Sequence, residues 1–250
     1  GNKTLFKEKF KGEIGLSPDN KYVIWYAYND SAWHAYSFKN KTTKNLTAKI
    51  HQNFYDEEFD YPMDPDSYGI SGWTKNDAEV LINDRYDIWK VDPEMKKPPM
   101  NLTNQWGRNN NTRFRYIHLD NENEYINPKE NLLLKSFNFN NKQSGFFTIK
   151  INSKTDPEEL ITDDAYYYNP EKAKNAEKLI WQRSTFNDYY DLWVSDMDFS
   201  NAAKISDENP QQEEYLWGDV ELYKWITAEG TEEEGLLYKP ENFDPNKKYP

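Results

Sequence analysis

One block of sequence recurs four times along this chain, and the recurrence constrains the fold more than any other feature. The first copy runs from a polar turn, Ser17-Pro18-Asp19-Asn20-Lys21, into the aromatic stretch Tyr22-Val23-Ile24-Trp25-Tyr26. It continues through Trp33-His34-Ala35-Tyr36-Ser37 and closes on Lys44-Asn45-Leu46-Thr47. The second copy has Lys75-Asn76-Asp77, Val80-Leu81-Ile82, Tyr86-Asp87-Ile88-Trp89 and a closing Asn101-Leu102-Thr103. The third has Pro128-Lys129-Glu130-Asn131, Leu132-Leu133-Leu134, Gly145 through Ile151, and Leu160-Ile161-Thr162. The fourth reads Lys178-Leu179-Ile180-Trp181, Tyr190-Asp191-Leu192-Trp193 and Lys204-Ile205-Ser206.

Equivalent positions Leu46, Leu102, Ile161 and Ile205 lie 56, 59 and 44 residues apart. Units of roughly 40 to 50 residues, each with three or four short strands plus loop insertions, point to β-propeller blades. A β-sandwich would instead repeat its strands about every 8 to 12 residues without the longer period. Within the sharpest match, alternation puts Ile88 and Leu192 on one face of a middle strand and Trp89 and Trp193 on the other, so both faces meet a neighbour. Asp92 and Asp196 then open the turn to the outer strand, because an Asp side chain can accept from backbone two residues on.

The expected fold class is therefore all-β, a partial propeller of about four blades. The units fall near residues 13–50, 69–104, 114–163 and 165–219, with blades reaching residue 225 and a hairpin and linker over 226–250. Closed propellers have about four to eight blades. Exposed blade faces are accordingly expected to be covered by further blades or by pairing into a dimer, which a clean monomer in sedimentation would exclude.

Composition narrows the function classes. Aromatic residues make up 16% of the chain, which suits half-buried pleated strands. A net charge of -12, with lysines interspersed among acids, argues against nucleic-acid binding, which needs clustered cations. No apolar run approaches the roughly 18 residues of a membrane span. The chain has no cysteine, which removes disulfides and thiolate chemistry and suits an exported or periplasmic bacterial protein.

Only three histidines occur, His34, His51 and His118, without metal-ligand spacing, and no metal or cofactor is expected. Carboxylate pairs such as Asp64-Pro65-Asp66, Asp163-Asp164 and Asp196-Met197-Asp198 lack the spacing of a calcium loop and read as turn residues. The triplets Asn45-Leu46-Thr47 and Asn101-Leu102-Thr103 fit the glycosylation pattern, but as strand closures they need only a polar turn residue, an inward Leu and a β-branched Thr.

The last forty or so residues carry a family resemblance. They read Glu221 through Trp225, Thr227-Ala228-Glu229-Gly230, Gly235-Leu236-Leu237-Tyr238-Lys239-Pro240 and Phe243-Asp244-Pro245-Asn246-Lys247-Lys248-Tyr249-Pro250. This resembles the crossover of the prolyl-oligopeptidase family of serine peptidases, which includes dipeptidyl and acylaminoacyl peptidases. There a Glu-x-x-x-Trp strand, a glycine hairpin and a Phe-Asp-Pro linker lead from the propeller into an α/β-hydrolase domain.

The resemblance implies a non-catalytic propeller that gates or positions short peptides for a hydrolase domain beyond Pro250. The nucleophile turn Gly-x-Ser-x-Gly does not occur: Gly15-Leu16-Ser17-Pro18-Asp19 lacks the second glycine and Gly69-Ile70-Ser71-Gly72 has the wrong spacing. No catalytic residue is assigned, and the chain alone is expected to be inactive. Dipeptidyl peptidases of this family hold the substrate's free amino terminus with paired glutamates on a propeller insertion. Glu57 and Glu58, in the acidic loop Tyr55 through Pro62, are similar in type and are the candidate substrate-binding residues. The other reading is a free-standing propeller that binds a protein, peptide or glycan.

Overall fold

The computed structural model describes residues 12–120 and 122–249. Four blade-like sheets follow one another along the chain. The first is built from β1 (Ile14–Leu16), β2 (Tyr22–Ala27), β3 (Ala32–Ser37) and β4 (Thr42–Asn45), antiparallel and in sequence order. The second uses β5 (Ile70–Thr74), β6 (Val80–Asn83), β7 (Ile88–Val91) and β8 (Met100–Asn101). A four-residue helix, α1 (Trp106–Asn109), leads to β9 (Thr112–Ile117), β10 (Tyr125–Ile126), β11 (Asn131–Asn138), β12 (Ser144–Lys150) and β13 (Glu158–Asp163). The third sheet has the order β13-β12-β11-β9, while β10 leaves it to run parallel to β5, Tyr125 opposite Trp73. The fourth comprises β14 (Tyr166–Lys172), β15 (Lys178–Ser184), β16 (Asp191–Asp196) and β17 (Ala203–Lys204), and a separate hairpin pairs β18 (Asp219–Ile226) with β19 (Glu232–Lys239).

The chain divides into two compact units. One takes in the described residues up to Phe139 together with Phe146–Glu159, the other Asn140–Gly145 together with the described residues from Leu160 onward. In the first unit the middle strands are buried on both faces, as their near-continuous apolar sequence requires. From β2, Ile24 and Tyr26 enter one core while Val23, Trp25 and Ala27 enter another on the opposite face. β6 divides likewise: Val80 and Ile82 join Ile24 and Tyr26, whereas Leu81 turns to Phe114, Leu134 and Phe147. Ile88 belongs to the Leu81 cluster and Trp89 packs on the other, as alternation along a two-faced middle strand demands.

A repeated clasp explains the closing segments. Leu46 N–H donates to Trp33 O, Leu102 to Ile88 O and Ile205 to Leu192 O, at 2.7, 2.8 and 2.8 Å. One residue on, a hydroxyl accepts the returning amide: Trp33 N–H to Thr47 Oγ1 at 3.2 Å, Ile88 N–H to Thr103 Oγ1 at 3.3 Å, Leu192 N–H to Ser206 Oγ at 2.9 Å. Leu46 and Leu102 are fully buried, so the triplets that match a glycosylation pattern do structural work. The Asp92 carboxylate accepts from the Glu94, Lys96 and Lys97 amides, the turn role expected of it.

Successive turns in the first unit are also tied together. Asp77, buried and at φ 51°, accepts from Ser17 Oγ (2.6 Å) and from the Asp19 and Lys21 amides (3.1 and 3.3 Å). Asp and Asn tolerate this left-handed geometry better than other side chains, which accounts for Asn76-Asp77 at this position.

The carboxyl-terminal hairpin differs from expectation in where it starts. Asp219 through Trp225, placed with the blades by sequence, pairs with β19 in an unbroken register from Asp219 opposite Lys239 to Ile226 opposite Glu232. Gly218 sets the boundary. At φ +88° a Cβ there would lie 2.4 Å from Lys239 O, so the chain turns where only glycine fits. Gly235 lies beneath the Trp225 ring, 3.2 Å from a notional Cβ, and Gly230 at φ +84° makes the connecting turn. Within the same unit, Trp217 Nε1 donates to Phe186 O at 2.7 Å and the Phe186 and Tyr238 rings meet at 5.4 Å, fastening the hairpin to residues next to β15.

Candidate functional site

The chain contains five arginines, and four of them, Arg85, Arg108, Arg113 and Arg115, gather in the first unit around Tyr68, Tyr86, Phe137 and Phe139. Arg85 projects from the turn between β6 and β7, with its guanidinium carbon 5.2 Å from the ring centres of both Tyr86 and Phe139. Arg108, on α1, reaches the Tyr86 ring at 5.0 Å. Arg113 on β9 lies over Phe137 and Phe139 at 5.6 and 5.7 Å, and Arg115 over Tyr68 at 5.5 Å. A guanidinium within about 6 Å of an aromatic ring centre is attracted by the ring's electron-rich face.

The turn that carries Arg85 is held by Asp84, whose side chain is fully buried. It accepts from the Tyr86 and Asp87 amides, both at 2.7 Å, and from Trp89 Nε1 at 2.8 Å. Arg108 Nη2 stands 3.7 Å from Asp84 Oδ2, too long for a hydrogen bond, and its Nε and Nη2 are buried without a hydrogen-bond partner among the described residues. Burial, reinforced by the charge on Arg113, pulls the Arg115 guanidinium down to about 10. The Tyr68 phenol is pushed up to about 12, chiefly by burial.

The loop bearing Glu57 and Glu58 lies against this cluster. It is closed by the Tyr55–Ser67 bridge and by Asp56 N–H donating to Asp66 O at 2.9 Å. Glu58 makes an ion pair with Arg85, and Glu57 accepts from Asn53 Nδ2 at 3.0 Å while its amide donates to Tyr68 Oη at 2.9 Å. Both glutamate side chains are exposed. Glu58 is thus already engaged by a cation of its own chain.

Among the described residues no group of three or more histidine, aspartate or glutamate side chains could hold a metal ion. Asp163 bonds Arg183 at 2.8 Å, Asp66 accepts from Tyr28 at 2.8 Å, and Asp196 accepts from Asn201 at 2.7 Å. His34 lies in β3, its Nε2 2.8 Å from Asp30. No helix among the described residues is long and apolar enough to cross a membrane.

The second unit contains an open cavity of about 500 Å³ lined by Tyr168, Gln182, Tyr189, Tyr190, Leu192 and Glu208. The Tyr168 and Tyr190 hydroxyls share a 2.6 Å hydrogen bond across it. Sequence reasoning missed both this cavity and the arginine cluster. The signal for the cluster was available: four of five arginines fall between residues 85 and 115 of a strongly acidic chain.

By sequence, no protein family matches the chain and neither does any curated protein. Its structure is similar to that of puromycin hydrolase, with a TM-score of 0.51 at 9% identity over 90% of this chain and 33% of that one. It is similar also to oligogalacturonate lyase from Vibrio parahaemolyticus, with a TM-score of 0.50 at 12% identity over 89% of this chain and 57% of that one. Against a putative TolB from Agrobacterium tumefaciens the TM-score is 0.44 at 12% identity, over 92% and 82% of the two chains. The chain therefore spans about a third of puromycin hydrolase and somewhat over half of the lyase. At such identities the likeness is one of fold: this is an all-β chain of β-propeller blades.

Proposed function

We propose that this chain is the non-catalytic propeller portion of a prolyl-oligopeptidase-type serine peptidase, where it gates and positions short peptides for an α/β-hydrolase domain that follows Pro250. The observation that carries the reading is the hairpin. Blade-type sheets give way at Gly218 to a two-stranded unit in which Trp225 covers Gly235, and that contact gives the Glu-x-x-x-Trp and Gly-x-Leu-Tyr elements a physical reason to occur together. A propeller placed over a hydrolase site would exclude folded proteins and orient short peptides, which raises effective concentration at the reacting bond. In this reading the four blade sheets precede Gly218, and the hairpin and linker from Gly218 onward lead toward the hydrolase. Glu57 and Glu58 are the residues offered to a substrate amino terminus, Glu58 once it leaves its ion pair with Arg85. An exported or periplasmic location and pairing of exposed blade faces between copies belong to the same proposal.

The test is genetic and enzymatic. A Gly-x-Ser-x-Gly nucleophile turn is expected within roughly 150 codons after Pro250, and a reading frame without one overturns the proposal. The chain alone is expected not to turn over a peptide anilide, and turnover abolished by a serine-directed inhibitor would contradict it. The second reading, a free-standing binding module, is favoured by the tyrosine-lined cavity of the second unit, which suits a peptide or glycan ring.

A further inference from the structure

The pairing of β9 with β11 places Arg115 opposite Lys135 and Arg113 opposite Phe137. Alternation sends the intervening side chains to the other face, where Phe114, Leu134 and Ser136 are buried. Arg113, Arg115 and Lys135 therefore share one face of a single strand pair, an arrangement in which like charges repel across and along the strands. Arg85 and Arg108 stand beside them over Tyr86. In a chain of net charge -12 this cationic face has no counterpart in bulk composition.

Among the described residues, compensation of Arg113 and Arg115 is incomplete. The Asp84 carboxylate accepts three N–H groups of its own hairpin, and Asp87 is taken by the Thr103 hydroxyl and the Gly107 and Arg108 amides. Among the described residues no carboxylate lies within ion-pair distance of Arg113 or Arg115. Among the described residues the Arg115 guanidinium donates to Phe114 O, through Nη1 at 2.6 Å, a neutral carbonyl. One carboxylate does sit on the cluster from outside. Glu58 reaches Arg85 from the loop, with a side chain 64% exposed against 20% for its partner. With the carboxylate largely in solvent, the pair is screened on the Glu58 side, and a competing anion can approach Arg85 from there.

We infer that this face is a carboxylate-recognition site: Arg113 and Arg115, joined by Arg85 when Glu58 moves aside, take the carboxylate of a short peptide, and Glu58 is the counter-ion that the ligand displaces. Guanidinium and carboxylate form paired, charge-assisted hydrogen bonds, and the rings of Phe137 and Phe139 beside Arg113 and of Tyr68 beside Arg115 attract the guanidinium charge without competing as acceptors. The site does not depend on the hydrolase reading. A free-standing propeller would show the same binding, so failure of one proposal leaves the other to its own test.

Calorimetric titration of the full chain at low ionic strength decides it, with acetyl-Glu-Glu-amide, acetyl-Ala-Ala bearing a free carboxyl terminus, acetyl-Gln-Gln-amide and inorganic phosphate as probes. Binding of either carboxylate probe is expected, and the stronger of the two identifies side chain or terminus as the source. Acetyl-Gln-Gln-amide is expected to give no heat. Arg113→Gln, at an exposed position, and Arg115→Gln should each weaken binding about tenfold or more, about 1.4 kcal/mol at the tenfold point. Glu58→Gln should strengthen it several-fold, a gain that misfolding cannot imitate. No carboxylate binding by the wild type and the Glu58→Gln variant, undiminished binding by Arg113→Gln with native near-UV circular dichroism, or phosphate binding as tight as the carboxylates would each overturn the assignment.

Discussion

Replacing Asp87 by Ala should destabilise the first unit by an amount that its hydrogen bonds determine. Asp87 is fully buried. It accepts from Thr103 Oγ1 at 2.6 Å, from Gly107 N–H at 3.1 Å and from Arg108 N–H at 3.3 Å, clasping the exit of the outer strand and the first turn of α1 to the start of β7. After truncation the Thr103 hydroxyl has another acceptor, Asn101 Oδ1 at 3.2 Å, but the Gly107 amide loses its partner. A buried donor left unsatisfied costs about 1–3 kcal/mol, and the longer bond to Arg108 adds a fraction of that. Against this stands a gain. Burial, with the charge of Asp84 adding to it, pushes the Asp87 carboxyl above its ordinary value, so removing the group relieves some desolvation.

The balance is a loss of about 2 kcal/mol, a large fraction of the about 5–15 kcal/mol that typically holds a domain folded. Thr103→Val removes the other end of the same clasp and should cost about 1–2 kcal/mol. Because both substitutions break one bond, the double variant should be more stable than the sum predicts, by about 1 kcal/mol. The first blade supplies a natural comparison, since Ala32 occupies the position equivalent to Asp87 and Thr47 Oγ1 bonds Asn45 Oδ1 instead. Urea unfolding followed by tryptophan fluorescence measures all four corners of the cycle. An Asp87→Ala variant within about 0.5 kcal/mol of wild type, or strict additivity in the double variant, would refute the clasp as an energetic unit.

Acid should weaken the first unit partly through Glu94. Burial works against its ionised form, but hydrogen bonds from Ser37 Oγ (2.8 Å), Asn40 Nδ2 (2.7 Å) and Tyr22 Oη (3.1 Å) outweigh it and hold the carboxyl below the usual glutamate value of 4.5. A folded value below the unfolded one means that this stabilisation is fully present above the unfolded value and is lost as pH falls through the folded value. Glu94→Gln should therefore lower the urea midpoint at neutral pH and flatten its fall in acid, and an unchanged acid profile would refute this. Gly145→Ala should be severe, because the new Cβ would lie 2.0 Å from Ile161 O. A cost of about 2 kcal/mol or more is expected from such overpacking, read as a lowered thermal midpoint, while Gly15→Ala, with open space around it, serves as the neutral control.

Local periodicity made the blades readable from sequence. The strands Tyr22–Ala27, Val80–Asn83, Ser144–Lys150 and Lys178–Ser184 each declare themselves by aromatic or branched side chains bounded by polar turns, a local pattern that needs no knowledge of the neighbour's identity. The closing triplets were readable for the same reason, since clasp and strand lie within about fifteen residues.

Features that depend on distant partners were not readable. The two residues of β10 carry no period of their own, and only the returning chain sets them beside Trp73 and Thr74. Asp77 looks like any turn acid until the Ser17 turn, 60 residues earlier, closes on it. The start of the hairpin is not readable, because Asp219 through Trp225 has strand character in either sheet and only its partner decides which. Sequence marks Glu57 and Glu58 as candidate binding acids of a loop, whereas folding brings Arg85 to Glu58 across 27 residues and strand pairing sets Arg113 and Arg115 on one face. Sequence determined which segments are strands and that they repeat. Tertiary structure decided which charges meet, because charge pairing is a property of positions in space and leaves no period along the chain.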